Sequence, residues 1–148
     1  HQGLFELTGG THACARVLPG GEVIDACEDI GRHNAVDKIA GWMFLNKVSP
    51  DDKIFYTTGR LTTEMVIKTV QMRIPILVSR SGFTNEAVAL ARQAGLTLIG
   101  RAKGKRFIAL SGKDRIVFDG DSDGEDVADT PSPQRAHGAD ASAGGGAR

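Results

Sequence analysis

The sequence predicts an α/β protein in which helices and a mixed sheet form a three-layer αβα sandwich. Short apolar segments rich in β-branched and aromatic residues alternate with longer segments whose apolar residues recur at helical spacing. Before them, two strand-like segments flank a Pro-Gly-Gly turn and indicate an amino-terminal hairpin. Alternating strands and helices imply parallel strands, and the hairpin adds antiparallel ones, so we expect a mixed sheet covered by helices.

The predicted hairpin joins residues 11–18 to residues 22–28. With Gly20 and Gly21 as a two-residue turn, apolar residues face apolar residues and a base faces an acid, which favours this register. The expected cross-strand pairs are Leu18–Val23, Val17–Ile24, Arg16–Asp25, Ala15–Ala26 and Cys14–Cys27.

The rest of the chain alternates between helices and strands. Thr84 is a predicted N-cap, and Gly95 is a predicted stop for the same helix. Helices are predicted at 32–44, 61–72 and 85–94, and strands at 53–58, 74–79, 96–100, 106–110 and 115–118.

Length and composition favour one ordered domain with a polar tail. We expect a domain over 1–118 with an incomplete amino terminus, since residues 1–5 resemble the end of a longer element, and a disordered acidic then Gly/Ala/Ser/Pro-rich tail over 119–148. The 18 basic and 18 acidic residues cancel, so no net field favours nucleic acid or a membrane surface. No apolar segment approaches the ~20 residues of a membrane span. Two cysteines indicate a reducing compartment, the cytoplasm.

Chemistry-bearing residues concentrate where the second hairpin strand ends and a helix begins. Asp29, Arg32, His33 and Asn34 lie within the segment 28–38, which joins acids, a glycine and an Arg-His-Asn cluster. Junctions of this kind are where α/β proteins place ligands. Any one of these residues alone would be explained by a helix cap with a salt bridge, but the whole cluster indicates a pocket.

Three further loops are expected to meet this cluster at the strand ends. Gly9 and Gly10, followed by His12, allow close approach of backbone N–H groups to a ligand. Gly59 and Arg60 follow a strand and precede a helix, a natural seat for an anion. The fourth loop is basic: Arg101, Ala102, Lys103, Gly104, Lys105 and Arg106. Together these loops suit a large, phosphate-bearing polyanion better than a small neutral ligand.

Other chemistries have weaker support. Cys14 and Cys27 are expected to be buried reduced thiols rather than a reactive pair. A zinc deaminase needs H-x-E and P-C-x-x-C motifs, and the chain has only His12-Ala13-Cys14. We therefore expect no metal site and no catalytic residue within these 148 residues.

The motifs closely resemble the formate dehydrogenase accessory sulfurtransferases, the FdhD/NarQ family. The similarity is carried, in order, by residues 5–13, 28–38, 58–60, 64–66, 74–75 and 95–100. It implies a cytidine-deaminase-like fold and a cytoplasmic homodimer. It also implies sulfur transfer from a cysteine desulfurase to the molybdenum cofactor (bis-molybdopterin guanine dinucleotide) before that cofactor enters formate dehydrogenase.

The resemblance also assigns roles to residues. By the resemblance, the basic segment 101–106 would hold part of the guanine dinucleotide, for which GDP or GTP would be mimics. The chemistry of the other loops adds further candidates for the same ligand: Gly9, Gly10, His12, Arg32, Asn34, Gly59 and Arg60. Asp29 or Glu28 would accept from guanine or orient Arg32. His12 and His33 would be proton relays or plain hydrogen-bonding residues.

Two features depart from the family pattern. The family carries sulfur as a persulfide on a Cys-x-x-Cys loop upstream of Thr-Gly-Gly-x-His, and no such motif occurs in this chain. Whether the chain is a sulfurtransferase or a non-catalytic nucleotide-binding fragment therefore stays open. Arg73 stands where the family usually has glycine, and a residue with a Cβ resists the left-handed conformation.

Overall fold

The computed structural model describes residues 3–117, except for the side chains of residues 4 and 5. The predicted tail at 119–148 and the domain boundary at 118 lie outside these residues. The elements, in chain order, are α1 (Gly3–Thr8), β1 (His12–Val17), β2 (Val23–Asp29), α2 (Arg32–Leu45), β3 (Ile54–Thr57), α3 (Thr63–Gln71), β4 (Ile76–Ser79), α4 (Asn85–Ala94), β5 (Thr97–Lys103) and β6 (Arg106–Ser111).

The strands form one six-stranded mixed sheet in the order β2-β1-β3-β4-β5-β6. Strands β3, β4 and β5 are parallel, whereas β1 is antiparallel to both of its neighbours and β6 is antiparallel to β5. The α/β class, the mixed sheet and the amino-terminal hairpin are confirmed, in agreement with the cytidine-deaminase-like αβα sandwich. The predicted strand at 115–118 is wrong for its described residues, because a 3-10 turn at Lys113–Arg115 replaces it.

The hairpin confirms three of the expected pairs: Ala15–Ala26, Arg16–Asp25 and Cys14–Cys27. The register nearer the turn is wrong, since Val17 pairs with Val23. The turn is closed by Leu18, whose carbonyl accepts from Gly21 N at 2.8 Å and whose N–H donates to Glu22 O at 2.9 Å. This longer connection leaves Ile24 as a β-bulge.

The core forms between the central strands and the three long helices. Phe55, Leu77 and Leu98 occupy paired positions on β3, β4 and β5 and are fully buried. Helix α2 is held beside α3 by a contact of His33 Nε2 with Glu64 at 2.9 Å and by an ion pair of Lys68 Nζ with Asp37 at 2.6 Å. Helix α3 in turn packs against α4. The helices therefore hold the loops at the strand ends in fixed positions.

All three long helices end in the same backbone motif. In each, a residue at the end of the helix has a positive φ, and the N–H that follows it donates to a carbonyl five residues back, as in a Schellman motif. In α4 this residue is Gly95 (φ 68°), as predicted, and Thr84 caps the start by accepting from Ala87 N at 3.2 Å. In α2 and α3 the position is held by Lys47 (φ 52°) and Arg73 (φ 61°).

Replacing Arg73 by glycine is expected to stabilise the protein. The Schellman bonds of α3, from Ile74 N to Thr69 O (3.3 Å) and from Arg73 N to Val70 O (2.9 Å), do not involve the arginine side chain. Glycine removes the Cβ penalty of the left-handed conformation, about 1 kcal/mol. Urea denaturation of Arg73→Gly would measure the gain, and a loss of stability would contradict the strain.

Candidate functional site

The topology brings four loops to one edge of the sheet. The parallel strands β3 and β4 end there, followed by Thr58–Arg60 and Arg80–Gly82. Because β1 is antiparallel to β3, its first residue, His12, lies at the same edge, as does Asp29 at the end of β2. A cavity of about 390 Å³ opens between these loops. It is lined by Gly9, Gly10, Thr11, His12, Thr58, Arg80 and Ser81.

Hydroxyl groups fix the loops around the cavity. Thr58 bonds to Ala13 twice, through its N–H to Ala13 O and through its Oγ1 from Ala13 N, both at 2.9 Å. Ser81 Oγ donates to Thr58 O at 2.8 Å, and Ser79 Oγ donates to Gly59 O at 2.6 Å. The two loops are thus bonded to each other and to β1. A ligand at this edge meets groups that are already in place, which lowers the entropic cost of binding.

Arg32, at the start of α2, packs on Gly59. A Cβ built on Gly59 would lie 3.1 Å from both Cβ and Cδ of Arg32, so glycine leaves the room that the arginine stem occupies. The Nε of Arg32 is buried and has no hydrogen-bond partner among the described residues. Nearby on α2, His33 Nδ1 is likewise buried and unpartnered, while its Nε2 pairs with Glu64. Arg32 Nε can therefore donate to a ligand or a water, and His33 Nδ1 can donate or accept according to its tautomer.

Asp29 forms the turn that leads into α2, whose N-cap residue is Gly31. Its Oδ1 accepts from Gly31 N (2.9 Å) and Asn34 Nδ2 (3.2 Å), and its Oδ2 pairs with Lys38 at 2.6 Å. The hydrogen bond from Lys38, followed by those from Gly31 and Asn34, lowers the pKa of Asp29 to about 2. Asp29 is therefore an anion at neutral pH and orients the Arg-His-Asn segment.

The basic hairpin formed by β5 and β6 begins beside the cavity. Arg101 N donates to Ser81 O at 3.0 Å, and the Arg101 guanidinium lies 5.9 Å from the ring centroid of Phe83. Arg101 has φ 52° at a register shift in β5, a strained conformation for arginine. The exposed end of the hairpin carries Lys103, Gly104, Lys105 and Arg106, which do not line the cavity.

The predicted site residues thus divide into groups. Gly9, Gly10 and His12 line the cavity, and Arg101 is bonded to its rim. Arg60 is exposed on the loop that also holds Gly59. Ala102 is half-buried in β5, between Arg101 and the exposed hairpin end.

Sequence reasoning missed Arg80 and Ser81 as parts of the cavity. They directly follow β4, and the carboxyl ends of neighbouring parallel strands meet at one edge. Their place directly after a predicted parallel strand is the sequence feature that could have identified them.

The two cysteines lie together but are poor nucleophiles. Cys14 is buried, and burial raises its pKa to about 12. Burial and the nearby Asp25 carboxylate raise the pKa of Cys27, whose thiol donates to Ala35 O at 2.9 Å. Neither thiol supplies a thiolate at neutral pH.

Two further features bear on the class of protein. Within residues 3–117, no three His, Cys, Asp or Glu side chains group as metal ligands, so the zinc deaminase alternative gains no ligand set. No helix in the same range has both the length and the apolar character required to cross a bilayer.

Comparison with known proteins identifies the family. The model of the FdhD/NarQ family matches residues 1–117. The chain belongs to the FdhD/NarQ family. The sulfur carrier protein FdhD of Saccharolobus solfataricus is 41% identical over 116 residues, which are 78% of this chain and 45% of that protein. The FdhD of Nocardia farcinica is also 41% identical over 116 residues, covering 78% of this chain and 42% of the relative.

A solved structure of an FdhD/NarQ relative shares the fold. It is described as a formate dehydrogenase accessory protein from Desulfotalea psychrophila and superposes with a TM-score of 0.72 at 37% sequence identity. The match covers 77% of this chain and 49% of that one. The chain thus spans about half the length of the relatives it matches.

Proposed function

We propose that this chain binds the guanine dinucleotide of the molybdenum cofactor during the maturation of formate dehydrogenase. The chain belongs to a family whose relatives are named sulfur carrier and formate dehydrogenase accessory proteins. In this role it holds bis-molybdopterin guanine dinucleotide as cargo while a cysteine desulfurase supplies sulfur. It acts in the cytoplasm and as a homodimer.

The cavity beside the basic hairpin is the observation that carries the proposal. Gly9 and Gly10 line the cavity without side chains, so a phosphate can approach the backbone closely, although Gly10 N already donates to Thr8 Oγ1 at 3.3 Å. Arg80 also lines the cavity, and the backbone of Arg101 is bonded to Ser81 at its rim. Guanidinium groups recognise phosphate through bidentate, charge-assisted hydrogen bonds. Lys103 and Arg106 are paired across the exposed end of the hairpin and extend the positive surface beyond the cavity.

The residues of the cavity suit binding and positioning rather than nucleophilic chemistry. The hydroxyl bonds of Ser79, Ser81 and Thr58 fix its shape, and Arg32 adds a donor with no partner among the described residues. Since both cysteines have raised pKa values, we propose that the persulfide is carried by a thiol other than Cys14 and Cys27.

The same chemistry supports a second candidate, a nucleotide-binding module that transfers no sulfur. A transfer assay with a cysteine desulfurase and the cofactor separates the two. Sulfur transfer by the 148-residue chain alone would require a reactive thiol in it and would contradict the conclusion on the two cysteines.

GDP is expected to raise the melting temperature of the protein by several degrees at millimolar concentration, because a ligand bound only by the folded state stabilises it. Arg106→Glu and Lys103→Glu are expected to remove most of the shift, since each places a carboxylate near the phosphates. Arg73→Gly, which removes a cation before β4 at the other end of that strand, is the control and should keep the shift. No shift with the wild-type protein would contradict the proposal.

A further inference from the structure

The two cysteines face each other across the amino-terminal hairpin. Cys14 on β1 and Cys27 on β2 are register partners in the antiparallel pair, and both are free thiols. Directly opposed residues of antiparallel strands have Cα atoms about 4.5 to 5.5 Å apart, with both side chains on the same side of the sheet. A disulfide requires Cα atoms about 4.4 to 6.8 Å apart. The backbone therefore already has a spacing that permits a disulfide between them.

Cys27 is the thiol that a reagent can reach. Cys14 is fully buried, whereas Cys27 is only partly buried and lies on β2, an edge strand of the sheet. The Cys27 thiol interacts electrostatically with the carboxylates of Asp25 and Asp29 and with the ammonium group of Lys38. Two nearby carboxylates disfavour an anionic oxidant, so the reagent that suits this position is small and neutral.

Each thiol donates to a segment at the edge of the sheet that holds the cavity. Cys14 Sγ donates to Thr57 Oγ1 at 3.4 Å, and the same oxygen accepts from Gly59 N at 3.1 Å, in the loop after β3. Cys27 Sγ donates to Ala35 O at 2.9 Å, near the start of α2. Because an S–H group is the donor in both bonds, loss of the two thiol hydrogens removes both bonds.

We propose that Cys14 and Cys27 form a redox modification site, at which a small neutral disulfide converts them to a cross-strand disulfide and so releases Thr57 and Ala35 from the thiols. The Cys27 thiolate attacks the reagent and forms a mixed disulfide, and one thiol leaves. The Cys14 thiolate then attacks Cys27 Sγ, and the second thiol leaves. The two protein thiols are oxidised, and the reagent is reduced to two thiols that take up the two protons.

Burial makes this reaction slow and its product persistent. Burial raises the pKa of Cys14 to about 12, so little thiolate is present at neutral pH and the closing step is slow. For the same reason the reduced form gains no stability from a thiolate, in contrast to strongly oxidising dithiols, and the disulfide resists reduction. Such a site responds to lasting exposure to an oxidant. It does not turn over as a sulfur carrier, in agreement with a persulfide held by another thiol.

Prolonged incubation of the full chain with hydroxyethyl disulfide tests the site. Titration of the unfolded protein is expected to fall from both thiols to none, with a mass about 2 Da lower because two hydrogens are lost. The melting temperature should rise by about 5 °C or more, since the disulfide constrains the unfolded chain. Cys14→Ala is the matched control. It should stop at the mixed disulfide of Cys27 and gain the mass of one hydroxyethylthio group.

The amide signal of Gly59 in NMR spectra tests the effect on the loop after β3. It should shift on oxidation, while that of Gly95, which donates to Arg92 O at the end of α4, should stay in place. A wild-type protein that keeps both thiols or stops at the mixed disulfide would overturn the proposal. So would a disulfide that leaves the Gly59 signal unchanged. GDP takes no part in these measurements, so their outcome is independent of the proposed function.

Discussion

Asp25→Ala is expected to lower the free energy of unfolding by about 3 kcal/mol, whereas Arg16→Met should leave it unchanged or raise it. Arg16 is fully buried, and its guanidinium lies 3.6 Å from Asp25 and 4.4 Å from the ring centroid of Trp42. None of its three nitrogens has a hydrogen-bond partner among the described residues. Removing Asp25 leaves a buried charge uncompensated, while methionine removes the charge and keeps most of the volume.

Urea denaturation of both variants measures this contrast. Asp51→Ala is the control, because Asp51 is an exposed acid outside the sheet, and its loss should change stability by less than about 0.5 kcal/mol. Equal destabilisation by Arg16→Met and Asp25→Ala would mean that the pair is strongly favourable. That result would contradict the view of Arg16 as a poorly satisfied buried cation.

Arg101→Gly is expected to weaken GDP binding by about 10- to 100-fold while raising stability by about 1 kcal/mol. The gain arises because φ at Arg101 is 52°, where glycine is unstrained. The loss arises because the substitution removes the guanidinium that we propose binds a phosphate of the nucleotide. Backbone strain that persists at a binding site, against its cost in stability, is typical of functional positions.

Calorimetric titration with GDP and a parallel urea series measure the two effects. Arg73→Gly is the matched control, since it removes an arginine of the same strained conformation (φ 61°) away from the cavity. It should gain stability and bind GDP like the wild type. Unchanged GDP affinity in Arg101→Gly would show that the basic hairpin does not contribute to the site.

Much of the fold followed from the sequence, because its local signals agree with its tertiary structure. For α4, the helical spacing of apolar residues, the N-cap Thr84 and the stop at Gly95 all predict the same helix, and the structure contains it with both ends as predicted. The bulge at Ile24 was not predicted. The Pro-Gly-Gly segment allows two hairpin registers that differ by one residue on the second strand, and only the pairing in the folded sheet selects between them.

The candidate site was predictable in its loops but not in its contacts. The strand ends identify which segments meet, and the two glycine turns and the Arg-His-Asn segment do lie at one edge. The position of Arg32 on Gly59 depends on packing between segments that are distant in the chain. Spacing along a chain does not encode such contacts.

Amide chemical shifts recorded by NMR during a GDP titration test the proposed binding edge most directly. The largest shifts are expected at Gly10, Thr58, Ser81 and Arg101, whose backbone borders the cavity and its rim. Shifts confined to residues around Phe44 and Met72, away from the cavity, would contradict GDP binding at this edge of the sheet. The absence of any shift at millimolar GDP would contradict it as well.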